Sequence, residues 1–83
     1  MYHNSFVEGL AGIVTYHRKK NKLTRVELAH KAGVGKTILF DIEHGKKTIR
    51  IDTLVKILDA LEIKVELTGE LMQEYNRDVT NQP

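Results

Sequence analysis

A short segment in the middle of the chain constrains the fold most. Thr24 is followed three positions later by Glu27, which is the spacing of a capping box at the start of a helix. Gly33 then suits the left-handed backbone conformation in which many helices end, and apolar residues return to helical spacing a few positions later. The segment therefore predicts two short helices, over 25–32 and 36–44, joined by a tight turn at Gly33.

One further helix is predicted on each side of this pair. Apolar residues at three-to-four spacing indicate a helix over 4–20 and another over 52–61. Their apolar faces consist of Phe6, Leu10, Ile13 and Val14 in the first and Leu54, Val55, Leu58 and Leu61 in the second. A chain of 83 residues has room for one small domain, so we expect the four helices to share one core over residues 4–62.

After residue 62 the spacing of the apolar residues changes from near four to two. Ile63, Val65 and Leu67 alternate with polar residues, which predicts a short β-strand over 63–68 with one buried face. A lone strand cannot pair its own backbone groups, and the sequence contains no second strand pattern, so its twin in a second copy is the simplest partner. We therefore expect a homodimer that buries these three side chains. The alternative is an edge strand that folds back on its own helices.

The tail over 69–83 has a mixed character. Its apolar residues, Leu71, Met72, Tyr75 and Val79, are enough for one or two amphipathic turns that pack on the core or in the dimer. Its polar end, 76–83, has the composition of a disordered segment.

Positive charge is concentrated in the middle of the chain, which the formal net charge of +2 does not reveal. Residues 17–50 hold ten basic and three acidic groups, a balance of +7. Residues 51–83 hold three basic and seven acidic groups, a balance of −4. A polyanion is therefore the expected partner of the middle segment.

Other classes of protein are disfavoured by what the sequence lacks. Without cysteine there is no disulfide or thiolate metal site, and no apolar run approaches the roughly 20 residues of a membrane span, so a cytoplasmic protein without membrane contact is expected. The segment 35–37 is similar to the end of a phosphate-binding P-loop, but the first glycine and the preceding strand of that motif are missing. The four histidines show no pair at metal-ligand spacing. We expect neither enzyme activity nor a cofactor.

The two central helices have the layout of a helix-turn-helix over 24–44. In that motif the second helix enters the major groove of duplex DNA by its N-terminal turn, while helix starts and nearby loops contact phosphates. Leu39 and Ile42 are then expected in the core. The residues predicted to contact DNA are Arg25, Lys36, Thr37, Phe40, Asp41, Lys46 and Lys47.

The stretch LTRVELAHKAGVGKTILFDIEHGKKTIRIDTLVKILDALEI resembles the Xre-type, phage-repressor-like helix-turn-helix domains, and the following IKVEL is similar to HipB-like antitoxins. The resemblance implies a mainly α, four-to-five-helix lambda-repressor-like domain whose short C-terminal β-strand pairs across a homodimer on a palindromic operator. It also implies a salt bridge between Arg18 and Glu43, and a kinase-like toxin as partner. Arg25 stands where this family most often has a glutamine that contacts phosphate.

Three functions are compatible with these observations. The first is a transcriptional regulator that serves as the antitoxin of a HipB/HipA-like module and represses its own operon. The second is a stand-alone phage or plasmid repressor. The third is a protein-interaction adaptor that keeps the fold without DNA binding, which the apolar and acidic pair Phe40 and Asp41 would suit.

Overall fold

The computed structural model describes residues 5–80 and is helical over most of that range. The five helices are α1 (Ser5–Lys20), α2 (Arg25–Ala32), α3 (Lys36–Glu43), α4 (Ile51–Ala60) and α5 (Met72–Thr80). The mainly α fold and the four predicted helices are confirmed, with bounds within one residue of the predicted ones. Residue 4 of the predicted domain and the last three residues of the tail lie outside the described residues.

The ends of α2 form as the local sequence predicts. The Thr24 hydroxyl accepts a hydrogen bond from the Glu27 backbone N–H at 3.0 Å, and the Glu27 carboxylate accepts one from the Thr24 backbone N–H at 2.8 Å. Gly33 takes a φ of 75°, and its N–H donates to carbonyls of the last turn. A residue with a Cβ would be strained in this conformation, so glycine sets the end of α2 and the tight turn to α3.

The core lies where α1 packs on α3 and where α2 packs on both α3 and α4. Its buried apolar residues are Val14, Leu28, Ala29, Leu39, Ile42, Ile57, Leu58 and Leu61. The expected burial of Leu39 and Ile42 is confirmed. Burial on this scale contributes roughly 1.5–3 kcal/mol for each large side chain.

Some of the predicted inward positions are wrong. Phe6 and Ile13 are exposed on α1, because the helix turns toward the core the side that holds Val14, which was predicted inward, and Arg18. On α4, Val55 is 46% exposed and Ile57 is fully buried. A face of one helix spans several adjacent positions, and the angle at which neighbouring helices cross decides which of them are covered.

The predicted C-terminal strand over 63–68 is not found. The segment 63–69 has no regular secondary structure. A strand needs a ladder of hydrogen bonds to a second strand, and no part of residues 5–80 forms a second strand beside this segment. Ile63 packs against the core, but Val65 and Leu67 are 64% and 77% exposed. The expected buried face is therefore absent within the single chain.

The tail contains a helix. α5 extends to Thr80, so residues 76–80 of the polar end, whose order the sequence left open, are helical. Tyr75 and Val79 on this helix, and Leu71 just before it, are exposed. None of the helices between residues 5 and 80 has the length and apolar character needed to cross a membrane.

Candidate nucleic-acid interface

The outward face of α3 is the centre of the candidate site. Leu39 and Ile42 turn one side of this helix into the core, and Lys36, Thr37 and Phe40 lie on the opposite, exposed side. Gly35 starts α3 without a side-chain cap, so the first backbone N–H groups of the helix lack a side-chain acceptor from that residue. Such an end carries partial positive charge and is suited to an anion.

A cleft separates the start of α2 from α3. It is lined by Arg18, Thr24, Arg25, Val26, Lys36, Thr37 and Phe40. Four of the residues predicted to contact DNA, Arg25, Lys36, Thr37 and Phe40, thus come together although eleven or more positions separate the first from the others. The arrangement offers cations beside a hydroxyl group and an aromatic ring.

Asp41 lies in a different cleft, between α3, the loop that follows it and α4. The lining residues are Ile38, Asp41, Ile42, Lys46, Thr48, Ile49, Arg50 and Thr53. Here Lys46 Nζ lies 3.5 Å from Asp41 Oδ2. The adjacent Phe40 and Asp41 therefore line two clefts rather than one, and Lys47 lies exposed in the loop that follows α3.

A buried carboxylate joins the first three helices. Glu43 accepts hydrogen bonds from Arg18 Nε at 2.6 Å and Nη2 at 3.0 Å, and from Arg25 Nε at 2.9 Å. The ion pair between Arg18 and Glu43 that the family resemblance implies is therefore present. Arg18 also donates to the carbonyl of Leu23 at 3.0 Å. The network leaves no buried side-chain nitrogen or oxygen without a partner among the described residues.

The two arginines determine the ionisation of Glu43. Its side chain is 1% exposed, and burial by itself would raise the pKa of the carboxyl group. Hydrogen bonds from Arg18 and Arg25, together with their positive charges, outweigh that effect and lower the pKa below its ordinary value. Glu43 is therefore a carboxylate, and the three groups together carry one net positive charge.

An aromatic stack covers one side of the site. The Phe40 and His44 rings lie 3.9 Å apart between centroids at 24°, and the Arg25 guanidinium lies 5.3 Å from the Phe40 centroid. His44 Nδ1 is 2.8 Å from the Phe40 carbonyl oxygen. A carbonyl oxygen only accepts, so Nδ1 carries the proton and Nε2 is the nitrogen left for other contacts.

A family model described as Helix-turn-helix matches residues 16–67, which is more than half of the chain. The chain belongs to the Xre-type helix-turn-helix family. The match includes every residue of the two clefts and ends before α5.

Proteins similar to this helix-turn-helix protein include two curated relatives and a solved structure. The immunity repressor protein of Bacillus phage phi105 is 38% identical over 66 residues, which cover 71% of this chain and 46% of the repressor. An uncharacterized HTH-type transcriptional regulator of Sinorhizobium fredii, y4mF, is 33% identical over 58 residues, covering 70% and 76%. A solved structure titled MDT Protein is 28% identical with a TM-score of 0.70, covering 83% of this chain and 93% of that one.

In a DNA-binding helix-turn-helix the second helix is the recognition helix, and α3 has that position in this chain. Sequence reasoning missed two features of its surroundings. The first is the place of His44, which the four-residue spacing from Phe40 could have indicated, because side chains at that spacing meet on a helix. The second is the contact between Arg25 and Glu43, 18 positions apart, for which the sequence contains no local signal.

Proposed function

We propose that this chain is a sequence-specific DNA-binding transcriptional repressor that contacts its operator through α3. One observation carries the proposal, which is the cleft where Arg25, Lys36, Thr37 and Phe40 converge on the exposed side of the recognition helix. Side chains at the start of such a helix reach base edges in the major groove. The name of the phage immunity repressor, 38% identical to this chain, supports repression as the regulatory outcome.

The contacts divide by chemistry into two kinds. Lys46 and Lys47 in the loop after α3, and Arg25 at the start of α2, carry cations suited to phosphates, which position the protein without specifying sequence. Lys36 and Thr37 can donate to base edges. The exposed ring of Phe40 offers an apolar contact to a thymine methyl group. Asp41 can accept from a cytosine amine once it leaves Lys46.

A homodimer is the form we propose for operator binding. One recognition helix covers only a few base pairs, so specificity calls for two copies on half-sites about 34 Å apart, which predicts a palindromic operator. The segment 63–68 supports this view, because Val65 and Leu67 are exposed and its backbone has no ladder partner within residues 5–80. A second copy pairing with the same segment would supply the missing ladder partner and bury Val65 and Leu67, while Ile63 already packs against the core of its own chain.

An antitoxin role is the finer form of the proposal. It is supported by the similarity of residues 63–67 to HipB-like antitoxins, and its partner would be a kinase-like toxin encoded beside this chain. A stand-alone phage or plasmid repressor differs from it only in that partner. Co-purification of the product of the adjacent gene with the tagged chain supports the antitoxin, and phage genes on both sides contradict it.

Fluorescence anisotropy with duplex DNA tests the proposed function. One duplex carries the DNA upstream of the chain's own gene, and a second has mixed sequence. The logarithm of affinity should fall linearly with the logarithm of salt concentration, by about 0.9 for each phosphate contact. Lys47→Ala should weaken binding to both duplexes alike and lower the slope by about 0.9, whereas Lys56→Ala on α4, a residue that lines neither cleft of the site, should change neither.

A protein-interaction adaptor is the second candidate. Ile38 and Phe40 are 40% and 45% exposed on α3, and apolar residues on an exposed helix suit a protein interface as well as a groove. The same titration separates the two functions. An adaptor binds neither duplex even at low salt, while a repressor prefers the upstream duplex.

A further inference from the structure

Glu43 pairs with two arginines, although one would neutralise its single negative charge. Arg18 alone gives it two hydrogen bonds, one to each carboxylate oxygen, and the Arg18 side chain is 8% exposed. That pair already neutralises and satisfies the buried carboxylate. Arg25 adds a third hydrogen bond from a side chain that is 38% exposed, so it connects the buried pair to the protein surface.

Arg25 uses only part of its guanidinium for Glu43. Nε makes the bond to the carboxylate, and within residues 5–80 Nη1 and Nη2 have no acceptor. The guanidinium is restrained a second time by the Phe40 ring at 5.3 Å. A guanidinium held at its inner nitrogen and against an aromatic ring presents its two terminal nitrogens as a rigid pair of donors, which matches the paired oxygens of a phosphate.

We propose that Glu43 is a positioning residue for DNA binding, which holds Arg25 so that its terminal nitrogens contact a backbone phosphate. The inference rests on the proposed DNA binding. The site is the cleft between α2 and α3, where Lys36 and Thr37 lie beside Arg25. A flexible arginine would lose side-chain entropy on binding, and an arginine already fixed by Glu43 and Phe40 has lost part of it beforehand.

The direction in which DNA affinity changes when Glu43 is replaced distinguishes a positioning role from a purely electrostatic one. A carboxylate near DNA repels phosphates, so its removal should tighten binding to every duplex if charge alone matters. If Glu43 acts by holding Arg25, its removal should weaken binding instead. The two roles therefore predict opposite changes for Glu43→Gln.

A double-mutant cycle on the mixed-sequence duplex tests the proposal. The four proteins are the wild type, Glu43→Gln, Arg25→Ala and the double variant, each measured at a temperature where circular dichroism shows the helices intact. We expect Glu43→Gln to weaken binding about tenfold in the wild-type background and to have little effect when Arg25 is already absent. Tighter binding by Glu43→Gln, or equal losses in both backgrounds, would overturn the proposal.

A second variant keeps the test valid if Glu43→Gln does not fold. Arg25→Lys retains the positive charge and leaves the buried ion pair between Arg18 and Glu43 in place. Lysine has one nitrogen, Nζ, so it cannot bind Glu43 with one nitrogen and a phosphate with two others, as arginine can. We expect it to bind almost as weakly as Arg25→Ala, whereas Arg77→Lys on α5 binds as the wild type does. Wild-type affinity for Arg25→Lys contradicts the proposal.

The upstream duplex identifies what Arg25 contacts. A phosphate contact predicts the same loss on both duplexes, and a loss confined to the upstream duplex would assign Arg25 to a base and overturn the phosphate assignment. A wild-type protein that binds neither duplex contradicts the proposed function and this inference together. Wild-type binding with additive losses contradicts the inference alone.

Discussion

Lys46 and Asp41 face each other at the end of the recognition helix, with Lys46 Nζ 3.5 Å from Asp41 Oδ2. The Lys46 backbone N–H also donates to the Asp41 carbonyl at 2.9 Å, so the two residues are held together by the turn that ends α3. Both side chains were predicted to contact DNA. In the protein alone, the carboxylate instead offsets the charge of one predicted phosphate contact.

Replacing the Asp41 carboxylate should strengthen sequence-independent DNA binding. Asp41→Asn removes a charge that opposes phosphates and releases Lys46, so affinity for the mixed-sequence duplex should rise by about threefold to tenfold at low salt. Anisotropy titrations at several salt concentrations measure it, with Glu74→Gln on α5 as the control. If Asp41→Asn binds the mixed duplex no better than the control, the ion pair does not limit phosphate contact.

Removing Glu43 should destabilise the fold. Glu43→Ala leaves the buried Arg18 guanidinium without its carboxylate, and breaking such a pair costs on the order of 3 kcal/mol of unfolding free energy. Glu74→Ala on the exposed surface of α5 should change it by less than about 0.5 kcal/mol. Urea unfolding followed by circular dichroism compares the two variants. Equal effects would show that the ion pair adds nothing to stability.

The lowered pKa of Glu43 predicts how stability depends on pH. A carboxyl group with a lower pKa in the folded chain than in the unfolded chain stabilises the fold above its unfolded pKa, and that contribution is lost as pH falls through the folded pKa. The wild type should therefore lose more unfolding free energy than Glu43→Gln between about pH 7 and about pH 3. Their difference in stability should narrow on acidification.

Urea unfolding at a series of pH values measures this prediction, and Glu74→Gln serves as the control with an exposed carboxyl group. The control should follow the wild-type profile. Parallel profiles for the wild type and Glu43→Gln would contradict the role given to the two arginines.

A charge placed in the segment 63–68 should weaken the proposed homodimer. Val65 lies at its centre and is 64% exposed, so Val65→Asp should cost the single chain little but place two like charges near the axis of a homodimer. We expect the variant to shift toward monomer and to lose far more affinity for the upstream duplex than for the mixed one. Sedimentation velocity at micromolar concentration measures the mass. A monomeric wild type, or a dimeric variant, counts against pairing through this segment.

The predictions from sequence were most accurate where structure depends on neighbours within a few residues. Thr24 and Glu27 fix the start of α2, and Gly33 fixes its end, because capping bonds and a left-handed turn are local. The burial of Leu39 and Ile42 also follows from helical spacing. The exposure of Lys36, Thr37 and Phe40 on α3 follows in the same way, although their roles in DNA binding stay predictions.

The sequence alone thus determined the four helices α1 to α4, the turn between α2 and α3 and the basic character of the segment around them. Only the tertiary structure decided that Arg25 meets Glu43 across 18 positions, that Phe40 and Asp41 line separate clefts, and that 63–68 has no strand partner within the described chain. Local hydrogen bonds are set by residues a few positions apart. Contacts between helices depend on how each helix is rotated and crossed against the others, which no short segment specifies.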